Sequence, residues 1–248
     1  MKKSPPHVIC LFFHIGKLGK YEEIFSEMYR AVVQCGLLER LDYLYLMHYG
    51  DGPIDFPTQS EKIKVIQGPL IQPTSEFITM THIKRLAHQF ASNGQKAYIG
   101  YIHTKGTFTP DVVGRSAITD WRRYMQHFVI ERHEEVFQLL AENDTVGVDL
   151  KRHPGLHYSG NFWWSTSDYL STLPDFIQAE ILGMPSIRHR AEFYITSNMN
   201  ARHFSMWDSG IDVYERRLHE YPPERYRHGV VMTRWGSSTI SRLEAGND

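Results

Sequence analysis

The run His157-Tyr158-Ser159-Gly160-Asn161-Phe162-Trp163-Trp164-Ser165 sets a glycine and several polar side chains against three large aromatics. Glycine lets a ligand approach the backbone closely, and indole faces stack on sugar rings or bases. This reads as a binding wall. The competing reading is a core strand whose aromatics fill space, since large aromatics are mostly buried. Ser159, Asn161 and Ser165 favour the wall, because each would need a hydrogen-bond partner in a purely apolar layer. A second cluster, Tyr101-Ile102-His103-Thr104-Lys105-Gly106, closes an apolar run with an imidazole, a hydroxyl, an ammonium and a glycine. Lysine and backbone amides beside a glycine can neutralise a diphosphate. Taken alone, the same residues also describe a strand ending in a solvated turn. Downstream, Arg115 and Arg122 sit about two helical turns apart on similar faces, so both guanidiniums can address one anion. Arg123 reads as a solvated neighbour and Trp121 as core.

These residues need a scaffold, and the chain alternates strand and helix patterns. Strands are expected at Val8 to His14, Tyr43 to Tyr49, Ile63 to Gln67, Ala97 to His103 and Thr145 to Leu150. Between them, Tyr21, Ile24, Phe25, Met28, Val32 and Val33 recur at helical spacing before Gly36. Ile83, Leu86, Ala87 and Phe90 mark a helix over 74–92, and a long one runs from Ile118 to Leu140. This order predicts an α/β fold with a mostly parallel sheet flanked by helices, and ligands at the carboxyl ends of its strands. Beyond Pro154 the pattern turns irregular, with short helices near Asp168 to Thr172 and Ala191 to Met199 and a loop-rich tail. One domain is expected, with 1–106 as a nucleotide-binding half, 107–200 as a sugar and acceptor half, and 201–248 as a C-terminal elaboration.

Composition removes several function classes. With 27 basic and 28 acidic residues and a net charge of −1, the chain has no general field for nucleic acid or anionic lipid. Its hydrophobic content of 42% supports a substantial core. Cys10 and Cys35 give no disulfide framework and no zinc site built on cysteine pairs, which places the chain in a reducing cytoplasm. Val8 to Phe13 is a short apolar run without a cleavage pattern, so it reads as the first strand rather than a signal peptide. No stretch approaches the ~20 apolar residues of a membrane-spanning helix. Among fourteen histidines, His153, His157 and His203 lack zinc spacing; His103 and His157 stand out by their company.

The ordered set Tyr101 to Gly106, then Trp121-Arg122, then His157 to Trp164 with Tyr169-Leu170 resembles a group of bacterial and viral glycosyltransferases of polysaccharide synthesis, related to the GT-A type. The likeness spans roughly residues 8 to 200. It implies a GT-A-like fold, a nucleotide-diphosphate sugar as donor and transfer to a hydroxyl of a glycan. It also implies that Ser159-Gly160-Asn161 approaches the donor sugar or acceptor and that Trp163 and Trp164 shape the pocket. The acceptor class implies a cytoplasmic protein that a lipid-linked acceptor can bring to the inner membrane face. GT-A enzymes often hold Mn²⁺ or Mg²⁺ through an Asp-x-Asp triplet, whereas here that place reads His103-Thr104-Lys105. Hard cations favour carboxylates and a lysine repels them, so no residue is assigned to a metal. Transfer with inversion needs a base. Glu192 is the leading candidate, with Asp149 and Asp168 as rivals, while Arg188 and Arg190 can bind diphosphate.

Two other functions compete. Phe12-Phe13-His14-Ile15-Gly16-Lys17-Leu18-Gly19-Lys20 follows a first strand, opens a helix and resembles a sulfotransferase loop for a phosphosulfate donor, although the usual hydroxyls after the lysine are replaced by Leu18 and Tyr21. A non-catalytic carbohydrate-binding domain would use Tyr158, Trp163 and Trp164 as stacking surfaces.

Overall fold

The computed structural model describes residues 7–56, 60–71, 75–107, 115–176, 187–211, 219–227, 231–236 and 239–244. Strand β1 (Val8–Gly16) is buried along almost its whole length. Leu11, Phe13 and Ile15 enter one core and Cys10 and Phe12 the other, which is why it reads as a continuous apolar run rather than an alternating one. Helix α1 (Tyr21–Gln34) lays Ile24, Phe25, Met28 and Val32 on the first face. After Gly36, whose φ of +81° suits glycine, a single turn α2 (Leu37–Arg40) leads to β2 (Tyr43–Tyr49). β3 (Ile63–Gly68) follows, and α3 (Ser75–Ser92) then packs Met80, Ile83, Ala87 and Phe90 on the second face. β4 (Ala97–His103) returns to the far side of β1, parallel to it, with His14 beside His103.

Past β4, α4 (Arg115–Gln126) runs into a π-helical turn at His127–Glu131 and then α5 (His133–Leu139). The single long helix expected here is broken because its carbonyls serve other groups. Trp164 Nε1 donates to Val129 O at 2.8 Å, and the Ile130 carbonyl is 3.0 Å from His133 Nδ1 and accepts from Cys35 Sγ. Side chains that insert into the hydrogen-bond ladder are a usual cause of such bulges. β5 (Thr145–Gly147) is followed by a small antiparallel pair, β6 (Leu150–Lys151) with β7 (His157–Tyr158). Asp149, at φ 53°, divides what the sequence presents as one strand. β8 (Trp163–Thr166), α6 (Ser167–Thr172), α7 (Ile187–Tyr194) and β9 (His203–Ser205) complete the central part.

The main sheet has the order β11-β10-β9-β5-β8-β4-β1-β2-β3, where β10 (Val231–Gly236) and β11 (Thr239–Glu244) form a terminal antiparallel pair. The expected parallel block spans β3-β2-β1-β4. Beyond it the sheet is mixed, since β8 runs antiparallel to both β4 and β5 while β9 is parallel to β5. The tail expected to be loop-rich therefore adds strands to the sheet. Helices cover both faces, so the fold is a Rossmann-like α/β sandwich. Among the described residues no helix is long and apolar enough to cross a membrane.

Where β4 meets β8, Gly100 lies under the Trp164 indole, and a Cβ there would come within 2.7 Å of the ring. Trp164 cannot retreat easily, because Val129 holds its N–H and Phe137 abuts its edge at 5.1 Å. Gly100→Ala should therefore destabilise the fold by about 1–3 kcal/mol. Urea unfolding should show a lower midpoint with an unchanged m-value.

Candidate functional site

The strand order reverses between β1 and β4. The chain leaves β1 toward β2 and β3, then crosses back to β4 on the other side. Such a switch point opens a crevice at the carboxyl ends of the strands. The two loops that line it are tied by backbone hydrogen bonds, Thr104 N to His14 O at 3.1 Å and Lys20 N to Thr107 O at 3.2 Å. Beneath them, Thr79 Oγ1 lies 2.9 Å from His14 Nδ1 and 3.0 Å from Tyr49 Oη. Burial pushes the His14 pKa down to about 3, so the imidazole is neutral. Lys17 donates to the carbonyls of Asp51, Gly52 and Pro53 at 2.6, 2.8 and 2.7 Å. The ammonium that a phosphosulfate loop would need thus closes the β2–β3 connection instead.

On the β4 side, His103 Nε2 is 2.9 Å from the Gly160 carbonyl, and Nδ1 faces Glu76 Oε1 at 3.9 Å. The same Glu76 oxygen accepts from Tyr101 Oη at 2.9 Å. Burial, then Glu76, raises the Tyr101 pKa well above its ordinary value, which keeps the phenol a donor. Lys105 Nζ sits over the Trp121 ring, 3.9 Å from its centroid. That is cation–π geometry. Gly106 takes φ 89° and closes the turn. Arg122 is almost fully buried; it donates to Lys105 O at 3.2 Å and pairs with Glu27 at 3.0 Å. It therefore braces the lysine loop from behind. Arg115 opens α4, and its side chain lies outside the described residues.

The 157–162 loop reaches the same edge because β8 is antiparallel, which puts its entry beside the exit of β4. Gly160 and Asn161 adopt φ 97° and 60°. A Cβ at Gly160 would lie 2.3 Å from Met125 Sδ and 2.9 Å from Trp121 Nε1, so glycine is required by both conformation and space. The loop is held by Ser159 N to Asp149 O at 3.0 Å, Trp121 Nε1 to Ser159 O at 3.3 Å and Trp163 Nε1 to Asn161 Oδ1 at 2.9 Å. Among the described residues neither Ser159 Oγ nor Asn161 Nδ2 has a hydrogen-bond partner, although both are buried. Buried polar atoms left this way carry a cost that a bound ligand or water removes. His157 is also buried; desolvation depresses its pKa, Gly155 O lies 2.7 Å from Nδ1, and the Glu192 charge opposes the depression.

The tryptophan wall is corrected. Trp163 and Trp164 are fully buried, because successive residues of β8 point to opposite faces and both faces of the sheet are covered. Trp163 stacks on Tyr101 at 5.4 Å and Trp164 lies among the α4–α5 residues. Neither indole offers a face to a sugar; Tyr158 is equally buried.

The three carboxylates expected to compete as base occupy different places. Asp168 is exposed, pairs with Lys96 and sits by the amino end of β4, at the edge opposite His103. Asp149 is buried and surrounded by donors: Tyr124 Oη, Ser209 N at 2.7 Å and Lys151 Nζ at 3.3 Å. Glu192 is half-buried on α7, and its charge acts on both His157 and Tyr101. Arg190 is half-buried on the same helix; the Arg188 side chain lies outside the described residues. Glu76 and Lys151 were missed in the sequence. Glu76 gives no local signal, since only the packing of α3 over β4 brings it to His103.

The donor set does not fit Mn²⁺ or Mg²⁺. Lys105 brings a positive charge to this edge, and among the described residues no group of three or more His, Cys, Asp or Glu is arranged to hold a metal ion.

Residues 50–204 match the family described as a domain of unknown function (DUF8361), and the chain belongs to that family. The matched segment contains His103 to Gly106, the 157–162 loop and Glu192. No curated protein matches the chain.

Two buried histidines set the acid limit of the fold. His14 titrates at about 3 and His203, bonded to Thr145 Oγ1, at about 4, against an ordinary 6.5. The unfolded chain binds protons that the native state refuses, so stability is full above pH 6.5 and falls toward pH 4, by about 1.4 kcal/mol per pH unit for each histidine. His14→Gln should flatten that slope in a series of urea titrations between pH 7 and 4.

Proposed function

We propose that this chain is a GT-A-type glycosyltransferase that moves a sugar from a nucleotide-diphosphate donor to a hydroxyl of a glycan. One observation carries the reading. The two motifs converge on the switch point between β1 and β4, where His103 Nε2 lies 2.9 Å from Gly160 O. In this reading residues 1–106 supply the nucleotide-binding half, 107–200 the sugar and acceptor half, and 201–248 an elaboration that extends the sheet. Surface polysaccharide synthesis on a lipid-linked acceptor would bring the protein to the inner face of the membrane.

The chemistry follows from the placement. Lys105 supplies positive charge to the diphosphate as the bond from the anomeric carbon to the phosphate oxygen breaks and its electron pair leaves with the nucleotide. Ser159 Oγ and Asn161 Nδ2 are buried and have no hydrogen-bond partner among the described residues, so in this reading they act on the transferred sugar through an ordered water rather than by direct contact. Glu192 takes the proton of the acceptor hydroxyl as that oxygen attacks the anomeric carbon. Asp149 is already surrounded by donors and serves better as an anchor for the loop. Asp168 lies at the wrong edge for any role in the reaction.

Thermal-shift titration with UDP, GDP, dTDP, CMP and adenosine 3′,5′-bisphosphate, each with and without Mn²⁺, tests the class. Stabilisation by a nucleoside diphosphate is expected; stabilisation by the bisphosphate alone would favour sulfotransfer, and no response a non-catalytic carbohydrate-binding role. Lys105→Ala should weaken nucleoside-diphosphate binding about tenfold, as loss of one charged contact does. Glu192→Gln should lower kcat by about a hundredfold or more while leaving donor affinity nearly unchanged. Wild-type turnover in that variant would remove Glu192 as the base.

A further inference from the structure

His103 stands between a carbonyl and a carboxylate. Its Nε2 meets the Gly160 carbonyl at 2.9 Å, and its Nδ1 faces the Glu76 carboxylate at 3.9 Å. A neutral imidazole with its proton on Nε2 can bond the Gly160 carbonyl, but only an imidazolium also attracts the Glu76 carboxylate, which at 3.9 Å is an ion-pair partner rather than a hydrogen-bond acceptor. The ring is confined as well, stacked on Tyr101 at 6.0 Å and edge-on to Phe162 at 5.3 Å. We propose that Glu76, His103 and the Gly160 carbonyl form a protonation-dependent latch, in which Glu76 is a positioning residue that keeps His103 charged and His103 holds the 159–161 loop in its left-handed turn.

The surrounding groups support that assignment. Across the sheet edge, the neighbouring His14 is neutral and adds no repulsion. Tyr101 remains a neutral phenol whose hydrogen is directed to Glu76. Glu192, which acts on Tyr101 from α7, adds negative charge on the same side. Among the described residues Lys105 is an opposing cation, and its ammonium is drawn over Trp121 of α4. The carboxylate at ion-pair distance therefore faces the ring from α3, and an opposite charge this close favours the charged form. A charge-assisted bond to the Gly160 carbonyl is also stronger than a neutral one. When His103 loses its proton, the ion pair with Glu76 is lost and the bond to the Gly160 carbonyl becomes a weaker, neutral one. A weaker hold on Gly160 loosens Ser159 and Asn161, whose Oγ and Nδ2 have no hydrogen-bond partner among the described residues.

The latch rests on the proposed donor site only for its consequence, so its test needs no ligand. Long-range ¹H–¹⁵N NMR of the whole chain should show both His103 nitrogens protonated at pH 7, with a midpoint above the ordinary imidazole value. The indole N–H signals of Trp163 and Trp121, which donate to Asn161 and Ser159, should shift with the same midpoint. Glu76→Gln should lower that midpoint by about one pH unit. A His103 midpoint at or below the ordinary value in the unaltered protein would overturn the latch without need of any variant. So would a midpoint unmoved in Glu76→Gln, or indole signals that do not follow His103. With UDP as probe, affinity should fall severalfold as pH rises through the midpoint, and the fall should begin at lower pH in Glu76→Gln. No response to any nucleoside diphosphate, with the His103 titration intact, would overturn glycosyl transfer and leave the latch standing.

Discussion

The contact between His103 Nε2 and the Gly160 carbonyl joins two segments that the chain separates by more than fifty residues, and with the β4–β8 pairing it brings both motifs to one sheet edge. Several local features serve that contact. β8 must run antiparallel so that the 157–162 loop enters beside the exit of β4. Gly160 must lack a Cβ so that Met125 and Trp121 can close over it. Asp149, itself at positive φ, must offer its carbonyl to Ser159 while Tyr124 and Ser209 hold its carboxylate. Asp149 and Asn161 are non-glycine residues held at positive φ beside that contact, local strain of the kind that clusters at functional sites.

The scaffold was readable where one element follows one pattern. β1, β2, β4 and α3 appear where apolar runs and helical spacing put them, because each is covered by its neighbours in the expected way. The placement of His103 to Gly106 followed from the end of β4. The tryptophans misled for a physical reason. A doublet in a strand covered on both faces fills two cores at once, and polar neighbours before it belong to the preceding turn rather than to the strand. The break at His127–Glu131 was equally hidden, since it depends on Trp164 reaching Val129 from another element. Glu76 sits in the first turn of the helix that immediately precedes β4, at the end farthest from His103 in sequence, so no spacing rule points to it.

Charge is distributed across the site in a consistent way. Toward α4, Lys105 rests on Trp121, while Arg122 supports the loop from below with its charge met by Glu27. Carboxylates lie toward α3 and α7, with Glu76 and Glu192 both acting on Tyr101. In the proposed reading a diphosphate meets the first side and a hydroxyl that must lose a proton meets the second.

The central claim is that the switch point between β1 and β4 binds the donor. Hydrogen–deuterium exchange with and without the most stabilising nucleoside diphosphate addresses it directly. The account predicts slowed exchange concentrated in peptides covering residues 14–20, 103–107 and 157–162. Protection confined to the groove on the outer side of α3, around Lys84, Arg85 and His88, with those three segments unchanged, would contradict it.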